Sequence, residues 1–332
     1  MNASTCNVIE IALAANQGYA KGLLVAATSI ALNASRHHTL SFTILDGGLT
    51  DEFYDELVQK LRNIHSQTVV QRFRIDESLF AKFPDLRGNK MTYARFYLPD
   101  LLLDAHHVIY CDVDTLWLTD IADLWALCDD TILKACNDPT VECYQKEIDW
   151  FVRRGIEFDA GKYFNAGVLL INLDEFRKND IVKKACNLLS DDPSIVFHDQ
   201  STLNYLLWGK VRFLNDRWMK FTTAIHDKDM KHGRVLHYVN NVPWVDYGWR
   251  EDLRDTRLVW FKVWGKVNEL SLYQSLKSFW GTKRTIRILT LSFIVRLPIL
   301  RQLIILLCIL IGRKCHASFF YHYARYFTIH CS

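Results

Sequence analysis

The 332 residues are 50% hydrophobic and 13% aromatic, which excludes a disordered chain and allows one large α/β domain with an appendage, or two modest domains. The net charge of +3 hides an asymmetry: residues 270–332 hold nine of the 40 Lys and Arg but none of the 37 Asp and Glu, so an acidic body precedes a basic tail. Nine Cys without a Cys-x-x-Cys pair, several inside apolar runs, argue against a disulfide framework and for a reducing compartment.

In chain order, "MNASTCNVIEIALAANQ" lacks a basic start and is interrupted by Glu10, so it reads as a first strand rather than a signal peptide. Further strands are expected at 40–45, 69–75, 108–111, 132–136, 168–172, 211–214 and 235–239. Helical spacing is expected at 19–34, 51–64, 92–103, 174–189 and 199–207. Nearly continuous Val/Ile/Leu strands separated by helices imply a mostly parallel sheet covered on both faces, within a domain of residues 1–255. Residues 256–332 are expected to form a basic, apolar, helical tail that associates with a membrane.

In such sheets, ligands bind beyond the carboxyl ends of the strands. "HVIYCDVDTLWLTDI" places Asp112 and Asp114 where the strand at 108–111 runs out. Two carboxylates held there repel unless something positive lies between them, and a hard divalent cation suits oxygen ligands. Asp-x-Asp alone is weak, because about one such pair is expected by chance in a chain this long. Asp227 and Asp229, among lysines and glycine, read as a solvated loop. An Asx turn capping a following helix also fits Asp112 and Asp114.

Other segments add candidates. Arg95 in "KMTYARFYLPDLL" is a phosphate ligand or a surface arginine. Asn165, Ala166 and Gly167 open a strand in "YFNAGVLLINLDEFR", where small residues let a ligand approach the backbone. Asp199 and Gln200 start a helix, and a plain N-cap is the alternative for Asp199. His237 lies on a third apolar strand, as a metal ligand or a core histidine.

Together, "AANQGYA", "MTYARFYLPDLL", "YCDVDTLWL", "FNAGVLLINLDEFR" with "DQSTLN", and "HYVNNVPW" resemble family 8 glycosyltransferases, in particular the bacterial lipopolysaccharide and lipooligosaccharide galactosyl- and glucosyltransferases. The resemblance covers about residues 8 to 245. It implies a GT-A fold, a UDP-hexose donor, Mn²⁺ (or Mg²⁺) and retention at the anomeric carbon. It further implies metal ligation by Asp112, Asp114 and His237, and donor contacts from Asn16, Tyr19, Arg95, Asp112, Val113, Asn165 and Ala166. Asp199 and Gln200 take the catalytic positions, and Asp138 in "KACNDPTVE" matches an acidic position near the acceptor. Gln200 is an amide, a weak nucleophile, which favours attack from the leaving-group face.

The chain departs from that pattern twice. Asn16 and Gln17 stand where the family carries acidic residues, and "HYVNNVPW" lacks a Gly and a Lys and is one residue short. Lys231 and Arg234 are possible substitutes for the lysine. These departures leave open a catalytically silent sugar-nucleotide-binding homologue, and other glycan acceptors or a nucleotidyl transfer are further alternatives.

In the tail, the uninterrupted apolar part of "KRTIRILTLSFIVRLPILRQLIILLCILIGRK" spans 303–312, about half of the roughly 20 residues a membrane span needs. Arg287, Arg296 and Arg301 break the longer candidate. Basic residues beside Trp280, Phe293, Phe319 and Phe320 suit the interface of an anionic membrane, and so apolar a tail argues against nucleic acid. The expectation is a cytoplasmic enzyme, peripheral on the inner face of the bacterial inner membrane, acting on a lipid-linked oligosaccharide.

Overall fold

The computed structural model describes residues 8–84, 90–222, 234–246 and 255–296. Asp227, Asp229, Lys231, Pro298, the apolar run at 303–312, Arg301, Phe319 and Phe320 lie outside these residues.

Among the described residues ten strands follow in chain order: β1 (Val8–Ala15), β2 (Thr39–Asp46), β3 (Thr68–Arg74), β4 (His107–Cys111), β5 (Thr115–Trp117), β6 (Leu133–Asn137), β7 (Phe164–Asn172), β8 (Arg212–Leu214), β9 (Lys220–Phe221) and β10 (Val235–His237). Seven form one sheet in the order β3-β2-β1-β4-β7-β6-β8, and β5-β10-β9 form a second. In the larger sheet neighbours pair in parallel except around β7, which runs against both β4 and β6. The result is the expected mixed, mostly parallel sheet. All nine residues of β7 are buried, Asn165 and Asn172 included, and its uncharged run at 166–171 suits the interior of a covered sheet.

Helix α1 (Ala20–Asn33) is buried from Gly22 to Ala31. Helix α2 (Asp51–Ile64) buries only Leu57 and Leu61; Thr50 caps it by accepting from Phe53 N at 3.2 Å, with Asp51 and Glu52 in its first turn. The helix expected at 92–103 is a 3-10 run, Met91–Tyr97, followed by the short α3 (Leu98–Leu101). The helix expected at 174–189 is two, α6 (Leu173–Lys178) and α7 (Ile181–Asp191). Between them Asn179 Nδ2 donates to Glu175 O at 2.8 Å, and Asp180 adopts φ 51°, a left-handed turn that Asn and Asp tolerate better than most residues. Strands β5 and β9 and helices α4 (Ala122–Trp125) and α5 (Gln145–Val152) were not expected. Helix α8 (His198–Leu206) agrees with the sequence reading.

The described residues fall in two compact units divided between Val245 and Asp246. The second contains α9 (Asp255–Val267) and α10 (Leu272–Arg296), the latter kinked at Gly281, φ 73°. Phe279 packs edge-on against Trp260, Phe261 and Trp264, and Arg284 pairs with Asp246. No helix among the described residues is long and apolar enough to cross a membrane.

Candidate active site

The site forms where the chain passes from one sheet to the other. β4 ends at Cys111, and Asp112 N donates to Gly167 O on β7 at 2.8 Å. Thr115 then closes a turn, its N and Oγ1 reaching Asp112 O at 3.2 and 2.7 Å, and the chain continues as β5. β10 pairs antiparallel with β5, His237 opposite Thr115, and Tyr238 N donates to Asp114 O at 2.9 Å. Strand pairing thus carries a residue more than 120 positions away to the two aspartates. His237 Nε2 lies 3.1 Å from Asp114 Oδ1 and 3.9 Å from Asp112 Oδ2.

These three residues fit a divalent cation. One ligand atom from each lies within 4.8 Å of the others. The second oxygen of Asp112 is taken by Arg95 Nη2 at 2.8 Å and the Tyr110 hydroxyl at 3.0 Å, which orients Oδ2 toward His237. The imidazole is buried, and its Nδ1 has no hydrogen-bond partner. Gly167 makes room for the ring, because a Cβ there would stand 2.3 Å from His237 Cε1. Two carboxylates against one guanidinium leave a net negative charge for a hard cation to neutralise.

Burial raises the pKa of Asp112, and nearby Asp114 and Asp199 add to that effect against Arg95 and His237. Burial acts the same way on Asp114, but the His237 ring overcomes it and holds that carboxyl below its usual value. Burial disfavours a charged His237, yet Asp114 and then Asp112 raise its pKa above the ordinary imidazole value.

Arg95 is buried beneath the pair, carried there by the 3-10 run. Its Nη1 reaches Ala166 O at 2.6 Å and Asp199 Oδ2 at 3.1 Å, and its Nε donates to Thr92 O at 3.0 Å. The guanidinium also stacks on the Tyr110 ring, 4.2 Å from the centroid. Burial opposes its charge, but Asp112 and Asp199 more than offset this and keep it protonated. Asp199 is not an N-cap, since Phe197 holds that position. Asp199 Oδ1 instead accepts from Thr92 Oγ1 at 2.5 Å.

A second polar network adjoins the first through Ala166, whose N donates to Gln200 Oε1 at 3.0 Å. Gln200 Nε2 donates to Asp138 Oδ2 at 3.0 Å and to the Tyr163 hydroxyl at 3.4 Å, and Asn165 Nδ2 reaches the same Asp138 oxygen at 3.1 Å. Asp138 Oδ1 accepts from Thr140 N and Oγ1 at 2.9 and 2.7 Å, so this buried carboxylate is held by four donors.

Asn16 and Tyr19 lie in the turn that opens α1, and Val113 stands between Asp112 and Asp114. Asn16 Oδ1 accepts from Gly18 N at 3.1 Å, and the Tyr19 ring meets Trp244 edge-on at 6.1 Å. A Cβ on Gly22 would stand 2.4 Å from Trp244 and 2.8 Å from Val113 O, so this glycine lets the Pro243–Trp244 corner close on α1. In the shortened "HYVNNVPW" block, Asn240 takes φ 62° and supplies a left-handed turn without glycine. Arg234 lies 4.0 Å from Asp216.

Arg95, Asp112, Asp114, Asp138, Asn165, Ala166, Asp199, Gln200 and His237 are therefore joined by contacts at the carboxyl end of the sheet, while Asn16 and Tyr19 lie in the turn that opens α1. Sequence reasoning missed Thr92, Tyr110, Tyr163 and Glu147. Tyr110 was legible, because strand period two puts it on the same side as Asp112. Thr92 is one turn before Arg95. Glu147 shares the buried stripe of α5 with Trp150 and Phe151, an unusual place for a carboxylate.

Comparison with known proteins agrees. The profile of glycosyl transferase family 8 matches residues 10–248. A putative glycosyltransferase of Haemophilus influenzae is 31% identical over 227 residues, 66% of this chain and 65% of its own length. The lipopolysaccharide 1,3-galactosyltransferase of Salmonella typhimurium is 27% identical over 74% of this chain and 75% of its own. Among solved structures, the galactosyltransferase LgtC in complex with donor and acceptor sugar analogues superposes with a TM-score of 0.65 at 27% identity, covering 79% of this chain and 96% of its own. The fold is that of a GT-A glycosyltransferase. The chain belongs to glycosyl transferase family 8.

Proposed function

We propose that the protein is a metal-dependent, retaining hexosyltransferase that moves galactose or glucose from a UDP-sugar to a lipopolysaccharide or lipooligosaccharide core acceptor. The observation that carries this reading is the convergence of Asp112, Asp114 and His237 within 4.8 Å at the carboxyl end of β4. The named lipopolysaccharide glucosyl- and galactosyltransferases among its relatives support the donor and acceptor classes.

Asp112, Asp114 and His237 would hold Mn²⁺, or Mg²⁺ in its place. When bound, the ion supplies charge neutralisation for the departing diphosphate. Arg95 fixes Asp112 and Asp199 in one geometry, while Asn16, Tyr19 and Val113 flank the nucleotide side and Asn165, Ala166 and Gln200 the sugar side. Three contacts favour attack from the leaving-group face over a covalent intermediate. Asp199 has an oxygen bound by Thr92 and the other by Arg95, and Gln200 Oε1 accepts from Ala166 N. The acceptor proton then passes to the leaving phosphate. A glycosyl ester trapped on Asp199 would overturn this route.

The direct test is release of UDP from UDP-galactose and UDP-glucose, with Mn²⁺ or with EDTA, in the presence and absence of acceptor lipid. Acceptor-stimulated release that EDTA abolishes is expected. Binding without turnover would mark a silent homologue, and release of pyrophosphate from UTP in the presence of a hexose 1-phosphate would mark a nucleotidyltransferase.

A further inference from the structure

We infer that Glu147, acting through the Tyr163 hydroxyl, is a positioning residue that fixes the side-chain amide of Gln200 in one orientation. This rests on the reading of Gln200 as part of the sugar pocket. An amide offers two donors on nitrogen and an acceptor oxygen, and a loosely held one can present either end to a ligand. The surroundings of Gln200 allow only one choice. Nε2 faces two acceptors, Asp138 Oδ2 at 3.0 Å and the Tyr163 oxygen at 3.4 Å, while Oε1 faces the Ala166 N–H at 3.0 Å. A half-turn would set Oε1 against the Asp138 carboxylate and the NH₂ against the Ala166 N–H, replacing attraction with repulsion on both sides.

Tyr163 can accept from Gln200 only while its own proton points elsewhere. It donates that proton to Glu147 Oε1 at 2.7 Å. Glu147 therefore sets the direction of the hydroxyl, and the hydroxyl sets what Gln200 meets. Both are fully buried, so neither side chain is open to solvent. A buried carboxyl is costly to keep, and a helix that only filled the core would carry an apolar residue on this stripe. The half-buried Gln200 is left with one lone pair on Oε1 to offer, so it acts toward the sugar as an acceptor.

Two measurements test this in the full-length protein. In turnover with Mn²⁺, Tyr163→Phe and Glu147→Leu should each lower kcat by about tenfold to a hundredfold, with KM moving no more than roughly twofold. The double variant should lose no more than either single one, and neither change should lower kcat further when added to Gln200→Ala. Glu147→Gln keeps an oxygen that accepts from Tyr163 and should recover most of the rate. In ¹⁵N-labelled protein, the side-chain amide signal assigned by Gln200→Ala should shift toward the free-amide position in Tyr163→Phe and Glu147→Leu, but not in Glu147→Gln. Equal losses in the wild-type and Gln200→Ala backgrounds, or a Gln200 signal unmoved by Tyr163→Phe, would overturn the inference. If the wild type turns over no UDP-sugar, the proposed function falls, and the amide signal alone decides this inference.

Discussion

Residue by residue, the site is a set of buried charges that hold one another. Arg95 lies between Asp112 and Asp199, with 4% of its side chain exposed. Arg95→Met should therefore cost about 3–5 kcal/mol in urea unfolding, because it strands two inward-facing carboxylates. Adding Asp199→Asn should recover part of that loss, and no recovery would show that Arg95 matters for packing alone. Gly167 acts by what it lacks. Gly167→Ala would push a methyl into the His237 ring, so Mn²⁺ affinity by calorimetry should fall about 10–100-fold while the melting temperature changes little. An unchanged affinity would remove His237 from the metal site. Asp112, Asp114 and Arg95 were legible as candidates, since each stands in a motif beside an apolar run. Their mutual contacts were not, because a sequence names neither the distance between Arg95 and Asp199 nor the oxygen of Asp112 left for a ligand.

Among elements, the outer part of the large sheet is tied together by charge. Lys134 on β6 is buried and pairs with Asp129 at 2.6 Å, while Arg212 on β8 reaches the other Asp129 oxygen at 2.9 Å. Burial works against the Asp129 carboxylate, but Lys134 and Thr131 hold its pKa below the usual range. A depressed folded-state value stabilises the protein above the unfolded pKa, and this stabilisation is lost as pH falls through the folded value. Asp129→Asn should thus cost on the order of 1 kcal/mol at neutral pH, a figure kept small because Asp129 is 40% exposed. The difference from wild type should shrink once the pH drops below about 4. A gap that stays constant into acid would exclude the ion pair as its source. At this scale the long strands and α2 could be read from periodicity. The two- and three-residue strands β5 and β9 could not, since so few residues carry no pattern and exist by pairing with β10. The break between α6 and α7 was hidden for a different reason: Asn179 and Asp180 interrupt the helix by local hydrogen bonding, not by a proline or glycine.

For the whole molecule, the asymmetry of charge leads to a membrane proposal. Helix α10 exposes Tyr273, Lys277, Lys283, Ile286 and Arg287, and residues 270–332 carry no acidic side chain. We propose that this second unit holds the protein on an anionic bilayer by its surface. Salt or carbonate washing should release it from membranes, and binding to vesicles should require anionic lipid and weaken with salt. Resistance to both washes would sink the peripheral reading.

The sequence by itself determined the α/β class, the alternation of strands and helices, the position of the paired aspartates at a strand end, and the family resemblance. These depend on local periodicity and on motifs a few residues long. Only the tertiary structure decided that β7 runs against its neighbours, that His237 meets Asp112 and Asp114, and that Asp138 and Tyr163 converge on Gln200. Those facts depend on which distant strands exchange hydrogen bonds and which buried polar atoms must find partners, and both are settled only when the whole chain is packed.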